Sequence, residues 1–261
     1  MYPVLFTIGP ITFYSYGTIL ALSFAVGIYL AYRRAKTTDI PSKIIIDMGV
    51  YLLVAAIVGA RICYVLNNLD WYVRHPLEIV FSRTGFVFYG GFILSICVGI
   101  LYLKRHNISV LKMCDIIIPS VAIGEAIGRI GCFLNGCCYG RPTTLPWGIY
   151  FPDNTLPVQI FGNTAIHPTQ LYLSIGNIII FFILNSIKPK FDGEIFGIYL
   201  ILHTLLRFTI EYIRGDATQI FLGLTVSQMI SVILGVIGIV LLITKWQNYK
   251  HSHKEIPVST K

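Results

Sequence analysis

The sequence predicts an all-α polytopic membrane protein, with seven transmembrane helices and a small extracytoplasmic cap between helices four and five. Three observations carry that prediction. The chain has 261 residues, of which 55% are hydrophobic and 12% charged, where a soluble domain carries about 25% charged residues. Its mean hydropathy is +0.73, and its apolar runs approach the roughly 20 residues a spanning helix needs. Its basic residues stand at the ends of those runs, not on a polar domain. The net charge of +8 therefore reflects membrane topology, and no nucleic-acid partner is expected.

The first run covers about Tyr14 to Tyr32 and ends at Arg33, Arg34 and Lys36. Nothing before Arg33 is charged, so no cleavable signal peptide is expected. The second covers about Ile44 to Leu66, with Asp47 near its start and Arg61 near its end. A polar stretch follows, from Asn67 to Arg83. The third run extends from Thr84 to Leu103 and stops at Lys104 and Arg105. The fourth covers about Met113 to Leu134 and carries Glu125 and Arg129. The fifth runs from Pro168 to Ile187 and stops at Lys188-Pro189-Lys190. The sixth covers about Glu194 to Ile213, with His203, Arg207 and Glu211 inside it. The seventh lies within Ala217 to Thr244.

Orientation follows from lysine and arginine placement. The loops after runs one, three and five, with the tail after run seven, hold thirteen basic residues; the other side holds Arg74, Arg83 and Arg141. The expected N-terminus is extracytoplasmic and the C-terminus cytoplasmic. Residues 1–261 read as a single integral-membrane domain. Residues 135–167 form its cap, with short strands such as Trp147 to Phe151, and residues 245–261 a cytoplasmic tail.

Arg61, Arg129, Arg207 and Arg214 fall inside the helical runs. At about 1.5 Å per residue they lie roughly 20 to 30 Å from the cytoplasmic face, in the outer half of a core about 30 Å thick. An arginine at such depth is functional by default. Pairing explains part of the group. Glu125 precedes Arg129 by four residues, Arg207 precedes Glu211 by four, and Arg214 follows by three, all spacings that share a helix face. Four arginines against two glutamates still leave about two positive charges. The expectation is an anion site at outer-leaflet depth, where guanidinium grips phosphate and the available anion is a phospholipid headgroup.

Gly124, Gly128 and Gly131 suit either helix packing or close approach of backbone to a ligand. Gly136 and Gly140 lie past the helix and suit a turn. Asn135 is either a C-cap or a headgroup ligand. Cys132, Cys137 and Cys138 could pair as a disulfide in an oxidising compartment. Their spacing matches no recognised zinc pattern and a fourth ligand is missing, so no metal is expected. His203 is either a hydrogen-bonded core residue or a participant. Two rival functions remain open: an anionic-lipid transporter or scramblase, and a thiol oxidoreductase built on the three cysteines.

A series of ordered segments is similar to prolipoprotein diacylglyceryl transferases, over nearly the whole chain. Tyr14-Ser15-Tyr16-Gly17 resembles the family's opening motif. Gly59-Ala60-Arg61-Ile62-Cys63-Tyr64-Val65 resembles Gly-Gly-Arg-Ile-Gly-Tyr-Val, and Phe88-Tyr89-Gly90-Gly91 resembles Phe-His-Gly-Gly. Gly128-Arg129-Ile130-Gly131, Asn135-Gly136 and Gly140-Arg141 follow the family signature. His167-Pro168-Thr169-Gln170-Leu171-Tyr172 and the segment from Arg207 to Asp216 complete the series. Tyr89 stands where the family usually has histidine, Cys132 where it has asparagine, Cys137 and Cys138 where it has glutamate and its neighbour, and Leu173 where it has glutamate.

The resemblance implies a cofactor-free transfer of the diacylglyceryl group of phosphatidylglycerol to the lipobox cysteine of a prolipoprotein. A thioether forms and glycerol 1-phosphate leaves. It implies Arg129 and Arg214 on the phosphate, with Glu125 and Glu211 fixing their rotamers. Tyr16, Asn135, Gly140 and Arg61 are the other candidates for binding substrate. Tyr89 or His203 would relay the proton. The partners expected are phosphatidylglycerol, the prolipoprotein signal peptide and membrane lipid. A diverged paralogue with another acceptor is the alternative within the family.

Overall fold

The computed structural model describes residues 1–82, 85–153 and 155–254. In chain order its elements are β1 (Val4–Ile8), β2 (Ile11–Tyr14), α1 (Ser15–Ala35), α2 (Lys43–Asn67), α3 (Leu69–Arg74), α4 (Glu78–Phe81), α5 (Phe88–Arg105), α6 (Val110–Asn135), α7 (Leu156–Phe161), α8 (Thr169–Ser186), α9 (Glu194–Glu211), β3 (Gln219–Phe221), β4 (Leu224–Thr225) and α10 (Val226–Lys254). The protein is mostly helical, and each apolar run is helical over most of its length. Among the described residues, four helices are long and apolar enough to cross a membrane: Ser15–Ala35, Lys43–Asn67, Thr169–Ser186 and Val226–His251. Val50, Val54 and Ile57 of α2, and Ile233, Val236 and Val240 of α10, lie exposed. Uncovered apolar surface on that scale suits a hydrocarbon environment. The start of the third run at Thr84, the loop residue Arg83 and residues 255–261 of the tail lie outside the described residues.

The chain divides into two compact units. The smaller, Tyr32–Met113, is organised on α2 and α5, which meet backbone to backbone. A Cβ added at Gly59 would sit 2.5 Å from the Gly90 carbonyl oxygen, one at Gly90 2.4 Å from that of Gly59, and one at Gly91 2.4 Å from that of Ala56. Only small residues permit this approach, and membrane helices associate through such contacts where hydrophobic driving force is absent. The polar stretch after α2 folds into α3 and α4.

The larger unit, Met1–Ala31 with Cys114–Lys261, has α6 as its spine. The Ser23 hydroxyl on α1 donates to the Gly124 carbonyl at 2.7 Å. Ser174 on α8 donates to the Ala126 carbonyl at 2.8 Å. Ile118 and Ala122 of α6, Ile180 and Leu184 of α8, and Ile195 and Tyr199 of α9 form the buried core. The Asp115 carboxylate of α6 caps the start of α9, accepting from Gly193 N at 2.7 Å and Phe196 N at 2.8 Å. That is the usual service of an acidic oxygen to orphan helix N–H groups.

Several expectations change. The strand expected over Trp147 to Phe151 reduces to bridge pairing of Ile149 with Ile166, because Gly148 and Pro152 punctuate the segment. The connection between α6 and α8 closes around Tyr139, Phe151 and Ile166 and includes the short helix α7. Two hairpins were not foreseen. The first turns at Gly9 (φ 56), the second at Leu222 (φ 51) and Gly223 (φ 72). The tail expected from Lys245 continues α10 as helix to Lys254. Arg214 is not in a helix, since α9 ends at Glu211.

Candidate active site

All but one of the arginines singled out in the sequence belong to the larger unit, each with a carboxylate. On α6, Arg129 Nη2 donates to Glu125 Oε1 at 2.9 Å. The other oxygen of Glu125 bonds His203 Nε2 at 2.8 Å, and the imidazole stacks on Tyr199 at 5.1 Å. One carboxylate thus joins α6 to α9 and connects a guanidinium to an imidazole. On α9, Arg207 Nη1 lies 2.6 Å from Glu211 Oε2, and Arg207 Nη2 donates to Ser227 at 3.0 Å. Glu211 is 4% exposed, and its Oε1 accepts from Thr225 at 3.0 Å. Burial without these partners would be costly for a carboxylate.

Arg214 is held from two sides. Asp216 takes it bidentately, Nε to Oδ1 at 2.8 Å and Nη2 to Oδ2 at 2.7 Å, and Glu211 Oε2 lies 3.8 Å from its Nη1. Its backbone bridges Gly140. Arg141 N donates to Ile213 O at 2.8 Å and Gly215 N to Tyr139 O at 2.9 Å. On the other edge, Gly140 N donates to His167 O at 3.1 Å and His167 N to Arg141 O at 3.0 Å. Residues 139–141 therefore run between two other backbone segments and carry Arg214 on a ladder.

Asp216 corrects the charge reading. In this unit Arg129, Arg207 and Arg214 meet Glu125, Glu211 and Asp216. Among the described residues of the larger unit these are three arginines with three carboxylates, because Asp216 adds one that the sequence count of two glutamates left out. Among the described residues, Arg129 Nε is buried with no hydrogen-bond partner.

The loop after α6 returns its cysteines to the helix end. Gly136 (φ 78) and Cys138 (φ 61) are left-handed. Gln170 and Thr169, from the start of α8, donate to the carbonyls of Cys137 and Cys138, each at 2.7 Å. The sulfurs of Cys132, Cys137 and Cys138 all lie within 4.8 Å of one another, and all are free thiols. Hydrogen bonds from Cys132 and Cys137, reinforced by the charges of Arg214 and Arg129, hold the Cys138 thiol well below the usual thiol range. Two arginines 85 residues apart in sequence thus converge electrostatically on one sulfur. Tyr16, on α1, lies within electrostatic reach of the same thiols and of Arg129. Exposed Asn135, the last residue of α6, has its amide beside Cys137.

Gly140 has a different task from the expected one. Its N–H is taken by His167, and an added Cβ would lie 2.5 Å from His167 Cβ and 2.6 Å from His167 O. It permits close packing at the ladder. Arg61, in the smaller unit, donates Nε to Ile79 O at 2.8 Å, Nη1 to Gly85 O at 3.0 Å and Nη2 to Glu78 O. It therefore ties α4 and the following loop to α2. It also borders an apolar cavity of about 430 Å³ formed with Ile57, Val58, Ile62 and Phe86. Tyr89, on α5 of the same unit, is exposed.

Comparison with known proteins shows what the chain is similar to. A family model described as prolipoprotein diacylglyceryl transferase matches residues 3–244. The chain is 35% identical over 241 residues to a phosphatidylglycerol–prolipoprotein diacylglyceryl transferase of Clostridium tetani, covering 92% of this chain and 96% of that one. It is 37% identical over 244 residues to the enzyme of the same name from Finegoldia magna, covering 92% and 94%. It is 34% identical over 245 residues to that of Bacillus cereus, covering 91% and 90%.

Proposed function

The chain belongs to the prolipoprotein diacylglyceryl transferase family, and we propose that it moves the diacylglyceryl group of phosphatidylglycerol onto the lipobox cysteine thiol of a prolipoprotein in a bacterial membrane. The sulfur–carbon bond of a thioether forms, the carbon–oxygen bond to phosphate breaks, and glycerol 1-phosphate leaves. Arg129 and Arg214 hold the phosphate. Charge on its oxygens grows as that bond breaks, so fixed guanidinium groups stabilise the transition state more than the ground state. Glu125 and Asp216 set the rotamers of those arginines, and Glu211 assists at Arg214. Tyr16 and Asn135 contact the headgroup or the incoming thiol.

The attacking species is a thiolate. His203 accepts its proton, because Glu125 links its imidazole directly to Arg129; Tyr89 is the second candidate. The observation that carries the reading is the buried Nε of Arg129, which has no hydrogen-bond partner among the described residues. An orphaned buried donor needs an explanation, and a phosphate oxygen supplies the missing acceptor.

We further propose that α1, α2, α5, α6, α8, α9 and α10 all span the bilayer, with the N-terminus and the 135–167 cap outside and the C-terminus cytoplasmic. The test is complementation. In a bacterium depleted of its own transferase, this chain should restore lipid-labelled prolipoprotein. Arg129→Ala should fail to do so, and should lower phosphatidylglycerol-to-thiol transfer by roughly 10²–10³ or more, the scale of losing a charge-stabilising donor. Arg74→Ala, exposed and remote in sequence from the cluster, should not. Normal turnover in Arg129→Ala would overturn the reading.

A further inference from the structure

We propose that Cys132, Cys137 and Cys138 form a three-thiolate site for a zinc ion, whose fourth coordination position receives the thiol of the acceptor cysteine. The three-sulfur site stands on its own geometry. The fourth ligand rests on the transferase reading above.

The sequence spacing of these cysteines fits no zinc pattern, but the fold replaces spacing with convergence. All three sulfurs lie within 4.8 Å of one another. Tetrahedral zinc, with zinc–sulfur bonds of about 2.3 Å, sets its sulfurs about 3.8 Å apart. The backbone is already fixed for the purpose. Cys138 takes a left-handed φ of 61, which costs a non-glycine residue on the order of 1 kcal/mol. Buried Gln170 and Thr169 hold the carbonyls of Cys137 and Cys138. Thus the convergence is imposed by α8 and not by a sulfur–sulfur bond.

The number of ligands is informative. Structural zinc sites close with four protein ligands, whereas catalytic ones keep three and leave a position for water or substrate. Among the described residues no fourth histidine, cysteine or carboxylate joins the group.

The chemistry requires no oxidant. Binding to the ion releases the acceptor thiol's proton to His203 or solvent water. A lone pair of the bound sulfur forms the bond to the glycerol carbon. The electron pair of the breaking carbon–oxygen bond leaves with glycerol 1-phosphate. The neutral thioether is a weak zinc ligand and departs, vacating the fourth position.

The test uses the full chain purified in detergent with phosphatidylglycerol under reducing conditions. After equilibration with zinc and gel filtration, elemental analysis should find about one zinc per chain. Cys132→Ser and Cys138→Ser should each lose it and lower transfer at least about tenfold, with thermal unfolding confirming that each variant is folded. Cobalt in place of zinc should give sulfur-to-cobalt charge-transfer bands. A lipobox peptide should change the visible cobalt spectrum, and the same peptide with serine for cysteine should not. Failure to retain zinc or cobalt, or a cobalt spectrum indifferent to the peptide thiol, would each overturn the proposal. Transfer assayed separately keeps the two readings apart. Transfer unaffected by chelation sinks the zinc site alone. A cobalt response to peptide without any transfer sinks the transferase reading.

Discussion

Arg214 and Asp216 form a two-point ion pair, Nε to Oδ1 at 2.8 Å and Nη2 to Oδ2 at 2.7 Å. The fork leaves Arg214 little rotational freedom, and Glu211 adds only a longer contact at 3.8 Å. Asp216→Asn should therefore lower kcat/KM for transfer by about 10- to 100-fold, the equivalent of one charge-assisted contact of roughly 1.5–3 kcal/mol. Asp39→Asn removes an exposed partner of Lys112, and should change transfer and stability little. Equal effects from the two substitutions would remove Asp216 from the mechanism.

Glu125 couples Arg129 to His203. If His203 acts through proton transfer, His203→Gln should lower kcat while leaving KM for phosphatidylglycerol nearly unchanged. Glu125→Gln should affect both, since it releases both partners. The double variant should be no worse than about twofold below Glu125→Gln alone, because residues in one network are not additive. Additive losses in that cycle would separate His203 from Arg129. Tyr89→Phe, assayed beside them, should retain most activity.

Gly140 and Gly128 belong to the same sequence signature but face different surroundings. A Cβ at Gly140 would collide with His167, whereas one at Gly128 would meet nothing within 4 Å. Gly140→Ala should destabilise the protein by about 1–3 kcal/mol, read as a lower midpoint of thermal unfolding in detergent. Gly128→Ala should leave that midpoint unchanged or slightly raised. A folded but inactive Gly128→Ala would instead mark the open side of α6 as a surface that substrate occupies.

Arg61 separates a structural from a substrate role. Its donors serve the carbonyls of Ile79, Gly85 and Glu78. Arg61→Ala leaves these carbonyls without that partner, and should lower the unfolding midpoint along with the amount of folded protein. Arg61→Lys should restore little, because a point charge cannot satisfy a fork. A stable Arg61→Ala with a raised KM for phosphatidylglycerol would return Arg61 to the binding site.

The parts legible in the sequence were those governed by local periodicity. Apolar runs gave the long helices, and four-residue spacing gave Glu125 with Arg129 and Arg207 with Glu211. The bond between Glu125 and His203 was not legible, since the two are 78 residues apart and only packing of α6 on α9 joins them. Asp216 was missed because Arg214 was read as helical, and residues two apart on a helix do not face each other. Gly215, between them, was the available signal that the helix had ended. The meeting of the three sulfurs depends on two left-handed residues, and cysteine at a left-handed φ has no sequence signature. Gly9-Pro10 and Leu222-Gly223 were turn signals for the hairpins, hidden inside otherwise apolar segments.

Arg214 hangs from the backbone ladder formed by residues 139–141, 165–167 and 213–215, not from the body of α9. Bilayers differ in thickness, and spanning helices answer by tilting. If Arg214 carries the proposed transfer, its distance to the sulfurs of the neighbouring loop should change less with bilayer thickness than the tilt of α9 does.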